Sequence, residues 1–280
     1  MKAYKYLTVA ILFATLVLNA CKKSSDEIVE EKQELKEPRV TGYYRDDILL
    51  RKFEYNDYKK TSKSQYYTEG GSLGEYYDQL YDTDSVLKTR QHGGSYFEFT
   101  SNDAGQVITS LFVPAEGVEL DDTYQVKEIY SYTPEGRLSL IKHYNKKDEH
   151  KRTTKYTYFA NGSLKQKEEL TAGFIPKLLS KSEFNIVASK DKIPKFEKLY
   201  KSMGHPVPDD LLLWQLSDQM TVKSYLPDGT TVSNERRYEM SDRKYNATTG
   251  MLETQQVKII SILPAKAPVI QKYKYQYTDM

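Results

Sequence analysis

The stretches YSYTPEGRL (130–138) and YTYFANGSL (156–164) decide the fold, and both read Y-x-Y-x3-G-x-L. Aromatic residues two positions apart put both rings on one face of an extended strand. A glycine four residues after the second Tyr, followed two residues later by Leu, marks where the chain reverses and its partner strand begins. Each stretch therefore predicts a β-hairpin in which the aromatic strand packs across from a Leu-bearing one. Gly136 and Gly162 are expected at positive φ, in equivalent turns of superposable hairpins. A primed turn would place Glu135 or Asn161 at positive φ as well.

The same grammar extends outward. Weaker copies run through Phe97-x-Phe99 with Gly105 and Val107, Tyr225 with Gly229, and Tyr245 with Gly250 and Leu252. Tyr273, Tyr275 and Tyr277 alternate with Lys272, Lys274 and Gln276, the period-two mark of a strand with one buried face. Val257, Ile259, Ile260 and Ile262 are apolar on both parities and predict a strand covered on both faces. One segment breaks the period: Phe196, Leu199, Tyr200 and Met203 have helical spacing between Pro194 and Gly204. The expected fold is mainly β: antiparallel β-meander or hairpin-repeat sheets over 43–280, with one short inserted helix at 194–203. Residues 171–218 are a candidate division between two β-subdomains.

The Y-T-P-E-G-R-L core at 132–138 resembles the YD (RHS-type) repeat, whose consensus is Y-D-x-x-G-R-L. Thr133 stands in place of the Asp, and the second copy has Ser163 in place of the Arg. The resemblance implies a β-rich sheet or open shell, carries no activity, and covers 70–100 residues at about the level of one hairpin pair.

The 280 residues are 39% hydrophobic and 29% charged, yet 25 Tyr, 9 Phe and 1 Trp supply the aromatic surface that disordered chains lack. Lys plus Arg is 41 against 39 Asp plus Glu, so no net field draws nucleic acid. The single cysteine excludes a disulfide framework and a thiolate zinc cluster.

That cysteine lies at the end of the most informative N-terminal stretch. Lys2 and Lys5 precede the apolar run Leu7–Leu18, which is too short for a bilayer core of about 30 Å and suited to a secretory signal. Leu18-Asn19-Ala20-Cys21 resembles a bacterial lipobox. The resemblance implies cleavage before Cys21 and acylation of Cys21, with Lys22 in place of the inner-membrane retention Asp. Residues 1–20 are then a lipoprotein signal peptide and 21–42 a charge-dense tether. By the same resemblance Lys22 implies onward sorting to the outer membrane, and Ser24-Ser25-Asp26-Glu27 resembles the short acidic export tags that imply its cell-surface side rather than the periplasmic one. The mature chain keeps 39 basic and 39 acidic residues.

Catalytic signals are sparse. Gly70-Gly-Ser72-Leu-Gly74 matches the nucleophile elbow in letters, but no apolar strand or helix flanks it, so it reads as a loop. His92, His143, His150 and His205 show no ligand spacing and read as surface side chains. The acid pairs Asp46-Asp47, Asp121-Asp122 and Asp209-Asp210 read as turns and loops. The basic run 142–155 reads as a solvated hairpin tip. No cofactor is expected. The tyrosines either fill the core or form a stacking platform. The expected function is a non-catalytic binding or structural module of the envelope, with a glycan or an envelope protein as partner and the membrane reached through acyl chains. The alternative is an envelope hydrolase with a carboxylate pair from distant loops.

Overall fold

The computed structural model describes residues 39–56, 60–81, 87–186, 217–247 and 250–277. The wall begins with β1 (Val40–Arg45), β2 (Ile48–Tyr55), β3 (Thr61–Tyr67) and β4 (Leu73–Tyr81). It continues through β5 (Leu87–His92), β6 (Ser95–Ser101), β7 (Val107–Val113) and β8 (Gln125–Tyr132). Then come β9 (Leu138–Asn145), β10 (His150–Tyr158), β11 (Leu164–Thr171) and β12 (Leu178–Ile186). The last four are β13 (Ser217–Tyr225), β14 (Val232–Tyr245), β15 (Leu252–Leu263) and β16 (Val269–Tyr277).

Each strand pairs antiparallel with its sequence neighbours, and β1 pairs with β16, so the sheet closes into a sixteen-stranded barrel. Closure corrects the expectation of open meander sheets. Alternation and turn residues specify each neighbour pair, but an open meander leaves two rows of unsatisfied N–H and C=O groups. The register Tyr43↔Tyr275 removes both edges, and only the ends of the chain supply it. No helix occurs among the described residues, and the helix expected at 194–203 lies outside them. β12 and β13, which flank 187–216, pair directly with each other from Ser180↔Ser224 to Ile186↔Ser217.

The two ends of the barrel are built differently. Where an even strand passes to an odd one, the turn repeats. Thr133 N–H donates to Arg137 O (2.7 Å) and Gly136 N–H to Thr133 O (2.9 Å). Phe159, Gly162 and Ser163 repeat this at 2.8 and 2.9 Å, and Asn102, Gly105 and Gln106 at 2.9 and 2.9 Å. Gly136 and Gly162 have φ of 79° and 90°, while Glu135 and Asn161 do not share the left-handed region. The turn is thus a type I turn closed by a glycine bulge, not a primed turn, and the register slips at Ser131/Tyr132 and Thr157/Tyr158 accordingly. The weaker copy at Tyr225–Gly229 belongs to the opposite end, between β13 and β14.

At the glycine-turn end every odd strand begins with a buried residue: Val40, Thr61, Leu87 and Val107, then Leu138, Leu164, Ser217 and Leu252. Most even strands end with Tyr. Tyr55, Tyr81, Tyr132, Tyr158 and Tyr277 donate their hydroxyls to the carbonyls of Val40, Thr61, Val107, Leu138 and Leu252, at 2.6 to 2.8 Å. The ladder explains this. β7 and β8 pair only from Thr109↔Ile129 to Leu111↔Lys127, so the Val107 carbonyl has passed the last ladder bond. Tyr132 supplies the missing donor.

Candidate functional site: the inner wall

Nothing among the described residues covers the outer wall, so fully buried side chains such as Leu252 and Val257, both 0% exposed, point inward. The outer wall carries cross-strand ion pairs, Lys63–Asp78 (3.8 Å), Lys223–Glu235 (3.6 Å) and Lys258–Glu239 (3.9 Å), with Lys272 and Lys274 exposed on β16. A barrel embedded in lipid needs an apolar outer band about 25 Å tall. This one turns its apolar side chains in and its charges out.

The interior changes character along its length. Toward the glycine turns, one core joins Phe99, Tyr130, Ile141, Tyr156, Phe184 and Met220 across consecutive strands, and it extends to Tyr43, Tyr273 and Tyr275. Burial pushes Tyr43 and Tyr275 far above the usual phenol range and Tyr273 up to about 12. These tyrosines are core, as are the five that cap carbonyls.

Toward the opposite rim the inner wall becomes polar. Glu128 on β8 faces His143 on β9 and Ser110 on β7. Its carboxylate meets His143 Nδ1 at 3.0 Å and accepts from Gln125 Nε2 at 2.6 Å, from Ser110 Oγ at 3.2 Å and from the Tyr130 hydroxyl. His143 Nε2 meets Thr154 Oγ1 at 2.9 Å. Arg152 reaches Gln125 Oε1 (3.1 Å) and Glu169 (3.6 Å), extending the network to β11. Burial, then the Glu128 charge, drives the Tyr130 phenol well above its ordinary value.

Thr154, His143 and Glu128 stand in the hydroxyl–imidazole–carboxylate order of a nucleophilic triad. A nucleophile must also meet substrate, and Thr154 is 3% exposed. Both carboxylate oxygens are taken up by neighbours, so the cluster holds four strands in register around a satisfied buried charge. His143, read from sequence as a surface side chain, is 5% exposed. Its inward parity depends on the bulge at Ser131/Tyr132, which no local pattern displays.

Beside this network runs an aromatic row. Arg51 lies over the Tyr66 ring at 4.8 Å, Tyr66 meets Tyr77 edge-on at 5.7 Å, and Tyr77 meets His92 at 5.1 Å. Phe97 and Phe112 pack at 5.0 Å, and Phe112 touches Tyr124 at 5.3 Å. Arg51, Tyr66 and Tyr77 share parity with the buried Phe53, Ser64 and Gln79, so they line the interior, half-buried. Tyr77 Oη also donates to Glu75 (3.1 Å). Sequence reading missed this row because its members lie on different strands and meet only through register.

The remaining sequence candidates do not converge. Asp46 and Asp47 form the β1–β2 turn at positive φ. Asp121 and Asp122 lie exposed in the β7–β8 loop, where Lys146 and Lys147 pair with Asp122 and hold its carboxyl below the usual range. Asp209, Asp210 and His205 lie outside the described residues, as does Cys21. Ser72 sits in the β3–β4 turn, its carbonyl accepting from Thr68 N–H at 2.8 Å. Among the described residues no cluster of His, Cys, Asp and Glu could hold a metal.

Fold and wall together define a closed antiparallel β-barrel with a charged exterior and an interior that is apolar at one end and polar–aromatic at the other. The chain is similar to a porin-like protein from Bacteroides uniformis, with a TM-score of 0.50 and 12% identity over 85% of this chain and 96% of the other. At that identity the likeness is one of fold. It also aligns with part of the Photorhabdus luminescens Tc holotoxin pore, with a TM-score of 0.29, 10% identity, 78% of this chain and 13% of that one. No family model and no curated protein matches the sequence.

Proposed function

We propose that this protein is a lipid-anchored module of the bacterial envelope, held at the outer membrane through Cys21 and facing the cell surface. There it binds glycan non-catalytically at the inner wall. The observation that supports the binding reading is the row Arg51–Tyr66–Tyr77–His92. Half-buried rings flanked by a guanidinium, an imidazole and the Glu75 carboxylate offer apolar faces and polar edges together, as a sugar ring requires. The expected platform of exposed tyrosines is narrower than the tyrosine count suggested, because most of the rings on the inner wall are spent on packing and capping. The hydrolase alternative finds no support in the acid pairs the sequence offered, since the described ones are solvated turns.

The test is calorimetric titration with envelope glycan fragments. Tyr66→Ala with Tyr77→Ala should weaken binding about 30- to 150-fold, each stacking face contributing about 1–1.5 kcal/mol. Unchanged affinity in the double variant moves the site elsewhere. Anchoring is tested by fractionating Cys21→Ser in a Gram-negative host: release from the membrane pellet is expected, and retention as in wild type refutes lipidation at Cys21.

A further inference from the structure

We infer that the rim opposite the glycine turns is a membrane-docking surface, received by the interfacial zone of a lipid bilayer. Large exposed apolar side chains gather at this rim. Phe174 is 101% exposed and Ile175 is 78% exposed at the tip of the β11–β12 loop, with Leu226 exposed in the next loop. Leu263, Val269 and Ile270 flank the β15–β16 loop beyond it. The loops adjoin: a Cβ on Gly229 would lie 2.8 Å from Lys177 Cβ, and Leu263 pairs with Glu235. The glycine turns at 102–106, 133–137 and 159–163 expose no large apolar side chain; among the described residues near that end, Leu80 and Tyr245 alone do. Apolar residues scattered singly are ordinary, but this gathering on three neighbouring loops at one end is not scatter.

The shape of the patch selects the occupant. A ring as exposed as Phe174 stands proud of the surface, so a protein partner would have to supply a matching pocket, whereas a fluid interface receives a protruding ring without one. Charge around the tips is mixed, with Lys177 and Lys266 beside Asp228 and Asp46, so insertion is apolar rather than an attraction to anionic headgroups. The inference rests on the envelope-lipoprotein reading for its membrane. Residues 22–38 separate Cys21 from the barrel and extend to at most about 60 Å. A nine-residue strand measures about 30 Å, so an anchor entering at the glycine-turn end leaves the far rim free to reach the same bilayer.

The experiment uses the exported full chain carrying Phe174→Cys, or Ala104→Cys in a glycine turn, labelled with an environment-sensitive thiol dye. Acylated Cys21 is silent, so label taken up by the wild-type chain would refute the anchoring reading alone. In that event the same two variants are read in the Cys21→Ser background. On adding phosphatidylcholine vesicles, emission from position 174 should rise several-fold and shift to the blue, independently of salt, while position 104 stays unchanged. Emission at 174 that ignores vesicles overturns the docking surface, as does an equal change at 174 and 104. A blue shift that grows with protein concentration without lipid would show a self-association face and overturns it too.

Discussion

Tyr132→Phe removes one oxygen atom and tests how the glycine-turn end is held. The Tyr132 hydroxyl donates to the Val107 carbonyl at 2.6 Å, beyond the last rung of the β7–β8 ladder. Phe keeps the ring and its packing, so the change isolates the bond. A neutral hydrogen bond contributes about 1 kcal/mol net, and an acceptor left half-buried without a donor costs about 1 kcal/mol more. The expected loss is therefore about 1–2 kcal/mol, or roughly 0.5 M in urea midpoint at a slope of about 3 kcal/mol/M. Tyr158→Phe breaks the equivalent bond to Leu138 two strands away, about 10 Å, so the double variant should lose about 2–4 kcal/mol, near the sum. Ser101 ends β6 where most even strands carry Tyr, and its buried Oγ has no hydrogen-bond partner. Ser101→Ala should therefore change stability by less than about 0.5 kcal/mol. Equal midpoints for Tyr132→Phe and wild type would mean that water already serves these carbonyls, and the capping argument would fail.

Three further outcomes follow from the same geometry. Gly229→Ala should destabilise by about 2 kcal/mol or more, because φ is 77° and the new Cβ meets Leu178 N at 3.1 Å; Gly105→Ala, at φ 73° with open space around it, should lose only about 1 kcal/mol, and equal midpoints would refute the steric part. Alkaline unfolding should set in above about pH 10 and deepen toward 12. Tyr132 and Tyr273 are raised to about 12 when folded, so the unfolded chain loses its phenolic protons first and stability falls with rising pH; a flat denaturation midpoint between those limits would contradict it. Glu128→Leu leaves a His143 nitrogen without its acceptor and the Tyr130 hydroxyl with Ser110 Oγ at 3.2 Å in place of a carboxylate, and should cost about 2–4 kcal/mol by urea denaturation, whereas an unchanged midpoint would mean that the network is not structural.

Much of this architecture was legible because hairpins are local. Y-x-Y followed by glycine and Leu encodes strand parity, turn and return within nine residues, so the amino-acid pattern alone places Gly136 and Gly162 in their turns. The capping tyrosines were visible as letters but not as donors, because their acceptors lie 15 to 25 residues upstream on the preceding strand. The Y-x-Y alternation shows why the first Tyr is buried; the second is explained only once its carbonyl partner is known. His143 and the row from Arg51 to His92 were misread or missed for the same reason. Each depends on bulges that shift register between strands, and a one-residue slip carries a side chain to the other face.

The sequence by itself determined the strand period, the glycine turns and the inward parity of alternating aromatics, because each is written within a dozen residues and set by backbone sterics. Only the tertiary structure decided that β1 meets β16, that the meander closes, and that the interior divides into an apolar end and a polar–aromatic one. Closure is a pairing between residues more than 220 positions apart. It is favoured by the cost of two unpaired edges, and no local pattern records that cost.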